Sequence, residues 1–339
     1  MSHQYNLQFE KLCSILDLGK LQNPPEEISG GLLHRMFAID TTSGKYAVKA
    51  LNPQIMARPT ALNNFIRSER IANIVATNVP ALPAKTIGGE FIHNLDGQYY
   101  LIFDWIDGYS LNSKDINNVH CEFMGAILAN IHNTDFSQMD IADDPFTTID
   151  EIDWNFYLCE GQRSNSAWVN QLQHSIEKLY TWSVSAKRSY TTLATDTVIS
   201  HGDLEPKNVM WSQDNPTIID WESAGHIHPM HDLIETAFYW SEGELGGINR
   251  ERFISFIRGY QSKVGTLQAD WRMILEHGYL GKLGWLEYSL KRSLWIECTD
   301  EKEQQMGTLH VTATLNTLKD YEDVSPLVEY WLNNINKNL

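Results

Sequence analysis

The sequence predicts an α+β protein in two lobes, and three observations carry that reading. The first third of the chain has strand periodicity, the remainder has helical apolar spacing, and 339 residues exceed what one ordinary core accommodates. The expected division is a first lobe over residues 1–107, an antiparallel sheet with one main helix, and a mostly helical second lobe over 108–339. An apolar content of 42% suits a well-packed globule. No apolar run approaches the ~18 residues of a membrane helix, and no basic-then-apolar leader opens the chain, so a cytoplasmic protein is expected. Cys13, Cys121, Cys159 and Cys298 stand far apart and read as reduced thiols.

Residues 31–40 (GLLHRMFAID) read as a strand, Thr41 to Lys45 as a hairpin turn, and Tyr46 to Leu51 as the returning strand. Ser29, Gly30 and Gly31 open the first strand. Two glycines there let the backbone come close to a ligand and turn amide N–H groups towards a phosphate, although alone they also make an ordinary turn. Lys49 sits inside the apolar returning strand, and a buried ammonium needs a partner. Residues 61–76 place Leu62, Phe65, Ile66, Ile71, Ile74 and Val75 at helical spacing, with Glu69 the only acid among them. A Lys49–Glu69 ion pair is therefore expected, the alternative being a surface pairing of Glu69 with Arg67 or Arg70. Tyr99 to Phe103 reads as a buried strand that runs into Asp104-Trp105-Ile106-Asp107-Gly108, a turn.

Beyond the turn the pattern becomes helical. Residues 121–132 carry Phe123, Met124, Ile127, Leu128 and Ile131 on one face and end at His132, which reads as structural. Residues 134–197 hold no nameable chemistry: an acidic run over 140–153, then helical stretches over 154–159 and 167–183 whose Trp154, Tyr157 and Glu160 read as packing with a solvated face. Residues 198–199 form a short strand, and 209–211 with 217–219 a hairpin around Ser212 to Pro216. His226, His228 and His231 have spacings compatible with a shared transition metal. The preferred reading is a helix opening at Asp232, with Asp232 as N-cap or as an anchor for the 201–208 loop. Amphipathic helices are expected over 252–260, 271–295, 308–321 and 327–336.

The chemistry concentrates in residues 201–220, HGDLEPKNVMWSQDNPTIID. Asp203 and Asn208 are five residues apart, and Asp220 follows across the hairpin, which swings it back towards Asn208. A carboxylate, an amide and a second carboxylate are what in-line phosphoryl transfer from a nucleotide needs: one oxygen to orient the attacking hydroxyl, and two hard oxygens for Mg²⁺. His201 reads as structural support for this loop. Charge is uneven as well: residues 1–107 carry nine basic and ten acidic side chains, so the acidity behind the net charge of −17 lies almost wholly in the remainder. Such a surface repels nucleic acid and anionic membrane, favours a cationic small molecule, and also serves general solubility.

In wording, HGDLEPKNVMW followed by IIDWE resembles the aminoglycoside phosphotransferase and choline kinase branch of the kinase superfamily, a resemblance that spans residues 28–240. It implies a bilobal protein-kinase-like fold with a hinge at 103–108. Its activity would be transfer of the γ-phosphate of ATP or GTP, with Mg²⁺, to a hydroxyl of a small molecule. An aminoglycoside-type antibiotic is favoured, the rivals being choline, ethanolamine, a sugar or an amino alcohol; a catalytically silent nucleotide-binding module is the reading from another class. By the same resemblance Asp203 orients the hydroxyl and later takes its proton, and Asn208 with Asp220 holds Mg²⁺. Ser29, Gly30, Gly31, Lys49 and Glu69 serve the nucleotide phosphates. Phe103 backs the purine pocket, whose edge meets the Asp104 carbonyl and the Ile106 amide. Residues 121–132 resemble the family's buttressing helix, and 134–197 its variable insertion. A monomer or homodimer without nucleic-acid or membrane partners is expected. The chain departs from the protein-kinase pattern at Glu205, where a lysine commonly stands two residues after the catalytic aspartate; Lys207 is the only cation of this loop.

Overall fold

Alternation in the first third of the chain builds a sheet with two different faces. The structure, a computed structural model, describes residues 4–28, 33–137, 139, 150–243, 247–298 and 300–336. Its first elements are α1 (Phe9–Ile15), β1 (Glu26–Ile28), β2 (Arg35–Thr41), β3 (Gly44–Ala50), α2 (Pro53–Met56), α3 (Ala61–Val75), β4 (Ile92–Leu95) and β5 (Gln98–Asp104). The strands form one antiparallel sheet in the order β1-β2-β3-β5-β4. Successive strand residues point to opposite sides. Val48, Ala50, Tyr100 and Ile102 therefore pack with Leu12, Cys13 and Leu18 on one face, while Ala47, Leu51, Leu101 and Phe103 pack with Phe65 and Ala84 on the other. Lys49 belongs by period to the second face, the one covered by α3. That placement brings an ammonium among apolar side chains on the side where Glu69 is also buried.

Residues 31 and 32 of the expected strand lie outside the described residues; within them β2 begins at Arg35, after a bend at Leu33 and His34, where the His34 ring accepts the Asn52 amide at 2.9 Å. The glycine-loop positions Ser29, Gly30 and Gly31 lie outside the described residues. Further along are β6 (Tyr109–Ser110), α4 (Asn118–His132), α5 (Trp154–Arg163), α6 (Val169–Leu193), β7 (Val198–Ser200), β8 (Val209–Ser212), β9 (Asn215–Ile218), β10 (Gly225–Ile227), α7 (Pro229–Ser241), α8 (Arg250–Val264), α9 (Trp271–His277), α10 (Tyr279–Ser293) and α11 (Glu301–Ile335). The hairpin is tighter than expected. Pro216 lies in β9 opposite Trp211 instead of in the turn, which a proline tolerates because β9 is the edge of the three-stranded sheet β6-β8-β9.

The chain divides into two compact units: Met1–Asp115 with Asn130–Ala142 and Ile199–Gly225, and Ile116–Ala129 with Asp143–Val198 and His226–Leu339. The first holds the large sheet, α3 and the 201–220 segment. The second is helical and packs around aromatics. Trp154 and Trp168 are fully buried, each donating its indole N–H to a serine, Ser183 at 3.2 Å and Ser293 at 2.8 Å. α7 opens at Pro229, with His228 before it, so Asp232 lies within the first turn and is not the N-cap. Proline at the first helical position, where no N–H is needed, sets the start. The single helix expected over 271–295 is two, broken at Gly278, where a Cβ would meet the Tyr321 hydroxyl at 2.1 Å. Among the described residues no helix is long and apolar enough to cross a membrane.

Candidate active site

Three short segments of the first unit are hydrogen-bonded into one frame. Ile218 N–H donates to the Pro80 carbonyl at 2.7 Å, Leu82 N–H to the Ile218 carbonyl at 2.8 Å, and Ile219 N–H to the Asn208 carbonyl at 2.9 Å. The last bond ties the end of the 201–208 loop to the residue before Asp220. Gly202, at φ +74°, allows the loop to pass, since a Cβ there would stand 2.6 Å from the Ser223 carbonyl oxygen.

His201 joins the same two segments. It is fully buried, its Nδ1 accepts the Asp203 amide at 3.2 Å, and its Nε2 lies 3.0 Å from the Ile219 carbonyl, so the proton sits on Nε2. The ring packs edge-on against Trp221 at 4.6 Å, and the Trp221 indole in turn donates to the Ile218 carbonyl at 3.2 Å. His132 contacts Ser200 at 3.2 Å, one residue before His201. Both histidines have the contacts of supports.

Asp203 Oδ2 and the Asp203 carbonyl both accept from Asn208 Nδ2, at 2.9 and 2.8 Å. Turning the amide N–H₂ group towards Asp203 leaves Asn208 Oδ1 without a partner among the described residues. Burial, and then repulsion from Glu205, lifts the Asp203 carboxyl to about 6. Asp220 takes a left-handed backbone, φ +62° and ψ +63°, which is uncommon for a residue with a side chain and costs about 1–3 kcal/mol. Strain of this kind is kept where the side chain must be aimed.

The structure corrects the expected partner of Lys49. Its Nζ lies 2.6 Å from Asp220 Oδ1 and 2.5 Å from Glu222 Oε2, whereas the nearest bond of Glu69 runs from the Ala84 amide to Oε2 at 2.7 Å. The reason is competition. Glu69, only 3% exposed, satisfies a buried backbone donor, and two carboxylates of the Asp220-Trp221-Glu222 turn already surround the ammonium. Burial of Glu69 also removes the surface pairing with Arg67 or Arg70. Burial opposes the Lys49 charge, but Asp220 and Glu222 outweigh it and hold the pKa above the ordinary lysine range. Burial likewise opposes the charge on Asp220, and Lys49 outweighs it, leaving that carboxyl below its usual value. Glu222 is raised, by burial first. Glu69 is lifted to about 7, burial exceeding the help of the Ala84 amide and Lys49.

Sequence reasoning missed two members of this cluster. Glu222 stands two residues after Asp220, and that distance across a turn is the one signal the sequence offers for it. His34, 4% exposed, has its Nε2 3.6 Å from Glu222 Oε2; burial and the Lys49 charge keep it neutral, with its pKa pushed down to about 3.

Of the expected hinge residues, Phe103 is buried opposite Ala47 and packs with Leu101 and Phe65, and the Asp104 carboxylate bonds Lys85 at 2.6 Å. No described group accepts from the Ile106 amide. Gly108 lets the chain pass β8, since a Cβ would meet the Trp211 carbonyl oxygen at 2.8 Å. The histidines at 226, 228 and 231 do not converge: His226 contacts Thr197, and His231 packs on His277. Among the described residues no three His, Cys, Asp or Glu side chains are arranged for a metal. The donors that do fit one are the free Asn208 Oδ1 and the Asp220 carboxylate. Such a pair of hard oxygens suits Mg²⁺, which keeps waters and substrate phosphates in its shell.

The sequence profile of the phosphotransferase enzyme family matches residues 25–264. No protein of curated function matches the chain in sequence. Among solved structures the fold is similar to a spectinomycin phosphotransferase in complex with ADP and spectinomycin, at 12% identity and TM-score 0.69, covering 93% of this chain and 97% of that one. It is similar to a Mesorhizobium loti protein of the choline/ethanolamine kinase family, at 13% identity and TM-score 0.59 with 96% of both chains covered. An amicoumacin kinase in complex with AMP-PNP, Ca²⁺ and Ami aligns at 12% identity and TM-score 0.58, over 91% of this chain and 93% of that one. The chain belongs to the phosphotransferase enzyme family and has the kinase-like fold.

Proposed function

We propose that the protein transfers the γ-phosphate of ATP, or of GTP, to a hydroxyl of a cationic small molecule, an aminoglycoside-type antibiotic being favoured over choline, ethanolamine or another amino alcohol. The observation that carries the reading is the orientation of Asn208: its N–H₂ group is spent on Asp203, which frees Oδ1 beside the segment that presents Asp220. In this reading Asp203 orients the attacking hydroxyl and accepts its proton late in a loose transition state. Asn208 and Asp220 would hold Mg²⁺, which when bound neutralises phosphate charge. Lys49, with Glu69 nearby, meets the nucleotide phosphates. Phe103, the Asp104 carbonyl and the Ile106 amide take the purine at the junction of an N-lobe over 1–107 with a C-lobe over 108–339; Ser29, Gly30 and Gly31 cover the phosphates. The surplus of acid after residue 107 supports a cationic acceptor.

The test is ADP release with ATP and Mg²⁺ across a panel of aminoglycosides, spectinomycin, macrolides, choline, ethanolamine and other amino alcohols. Turnover above the water background with an aminated antibiotic is the expected result. Turnover with choline or ethanolamine alone would replace the antibiotic by a metabolic acceptor. Nucleotide binding without turnover on any acceptor would leave a silent binding module.

A further inference from the structure

We propose that Lys207 is the catalytic cation that holds the transferred phosphoryl group, and that Glu205 is the positioning residue that aims it; this rests on the kinase reading above. The loop His201-Gly202-Asp203-Leu204-Glu205-Pro206-Lys207-Asn208 has the acid two residues and the base four residues after Asp203. Lys207 Nζ lies 3.0 Å from Glu205 Oε2 and 3.7 Å from Asp203 Oδ2, so one ammonium spans both carboxylates. The backbone makes this possible: Glu205 is extended at φ −80° and ψ 158°, and Pro206 starts a single 3-10 turn, Pro206–Asn208, that folds the Lys207 side chain back over the loop. The Lys207 carbonyl is held by the Ser110 hydroxyl at 3.0 Å.

Electrostatics then assigns the task. Asp203, Glu205, Asp220 and Glu222 face the site, and Lys49 is already engaged by the last two. His34 is neutral, and His201 is buried with both ring nitrogens engaged by the backbone, at the Asp203 amide and the Ile219 carbonyl. A terminal phosphate arriving beside Asp203 and Glu205 meets two anions, and Lys207 is the only cation that the loop offers. An attacking hydroxyl within hydrogen-bond reach of Asp203 stands beside the same ammonium. Side-chain exposure of 53% leaves Lys207 free to swing from its carboxylates to a phosphate oxygen.

In the step itself the acceptor oxygen bonds the γ-phosphorus as the bond from that phosphorus to the β,γ-bridging oxygen breaks. The bridging oxygen leaves with its electron pair on the nucleoside diphosphate, and the hydroxyl proton passes to Asp203. Lys207 neither gives nor takes a proton; its charge follows the equatorial oxygens. Glu205 limits where the ammonium rests when no phosphate is present.

The experiment compares ADP with AMP-PNP, which differ in the terminal phosphoryl group, by calorimetric titration in Mg²⁺ with no acceptor required. For Lys207→Met and Lys207→Gln we expect AMP-PNP affinity to fall by about tenfold, the worth of one charge-assisted contact, with ADP affinity within about twofold of the parent. Lys207→Arg should restore most of the preference for AMP-PNP, and Glu205→Gln should lower it by a smaller factor. Retained ADP binding shows that each variant is folded. If both neutral variants keep the parent's ratio of AMP-PNP to ADP affinity, the assignment of Lys207 is overturned while the kinase reading stands. If the parent binds neither nucleotide with Mg²⁺, the kinase reading falls and the assignment with it.

Discussion

Around Lys49 in the first unit, buried charge is met by charge; around His231 and His277 in the second, buried polar atoms have nothing to meet. Lys49 holds Asp220 and Glu222, Glu69 holds an amide, and His34 accepts another. In the second unit the Nδ1 atoms of His228, His231 and His277 and the Oε1 atom of Glu235 are buried with no hydrogen-bond partner among the described residues. Glu235 Oε2 is paired with Lys282 at 2.7 Å, and His228 Nε2 lies 4.0 Å from Asp196. The difference teaches how each cluster meets the cost of burial. The first keeps its charges and compensates them, so removing one member strands another. The second keeps charge off its histidines: burial pushes His231 and His277 down to about 3, so both stay neutral.

The largest expected effect breaks the chemical side of the comparison. Asp203→Ala should lower phosphoryl transfer by about 10²–10⁴-fold with little change in melting temperature, read as ADP release beside a thermal melt. Unchanged turnover would remove Asp203 from the mechanism. Next, Lys49→Met leaves Asp220 and Glu222 facing each other without a cation. We expect a loss of about 2–4 kcal/mol in urea unfolding, less than for a fully buried pair because the two carboxylates are 30% and 23% exposed. Adding Glu222→Gln should recover part of it, and a double variant no better than the single would show that the carboxylates do not repel there.

The smallest effect belongs to the histidines and is read against pH. Both bind a proton in the unfolded chain near pH 6.5 and resist it in the fold until about 3. Stability is therefore complete above pH 6.5 and falls as pH drops below it, by about 1.4 kcal/mol per pH unit for each histidine. His231 is faced by Lys282, Asp232 and His228, and His277 by His228, His231 and Glu235. His277→Phe should flatten the slope of unfolding free energy between pH 6 and 5 by about the amount for one group. An unchanged slope would mean that His277 is protonated in the fold, and the contrast with the Lys49 cluster would disappear.

Much of the fold was legible because its signals are local. Period two marked β3 and β5, period 3.6 marked α3 over nearly its full length, and the turn between β2 and β3 lay where the small residues put it. The errors sit where a neighbour in space overrides the local pattern. The helical run is broken at Gly278, where Tyr321 occupies the space a side chain would need, and Pro216 joins a strand because that strand is an edge. In the candidate site, spacing pointed to Asp203, Asn208 and Asp220 but not to Glu222 and His34, since neither of these forms a pattern with its own neighbours in sequence.

By itself, then, the sequence determined the α+β class, the main strands and helices of the first third, and the stretch on which an amide and two carboxylates stand. Those features depend on backbone period and on short spacings. Only the tertiary structure decided that Lys49 goes to Asp220, 171 residues away, and to Glu222 in place of Glu69. That choice is a competition among several carboxylates and one buried amide for the same small volume. It is settled by which of them lacks any other partner, a quantity that exists only once the chain has folded.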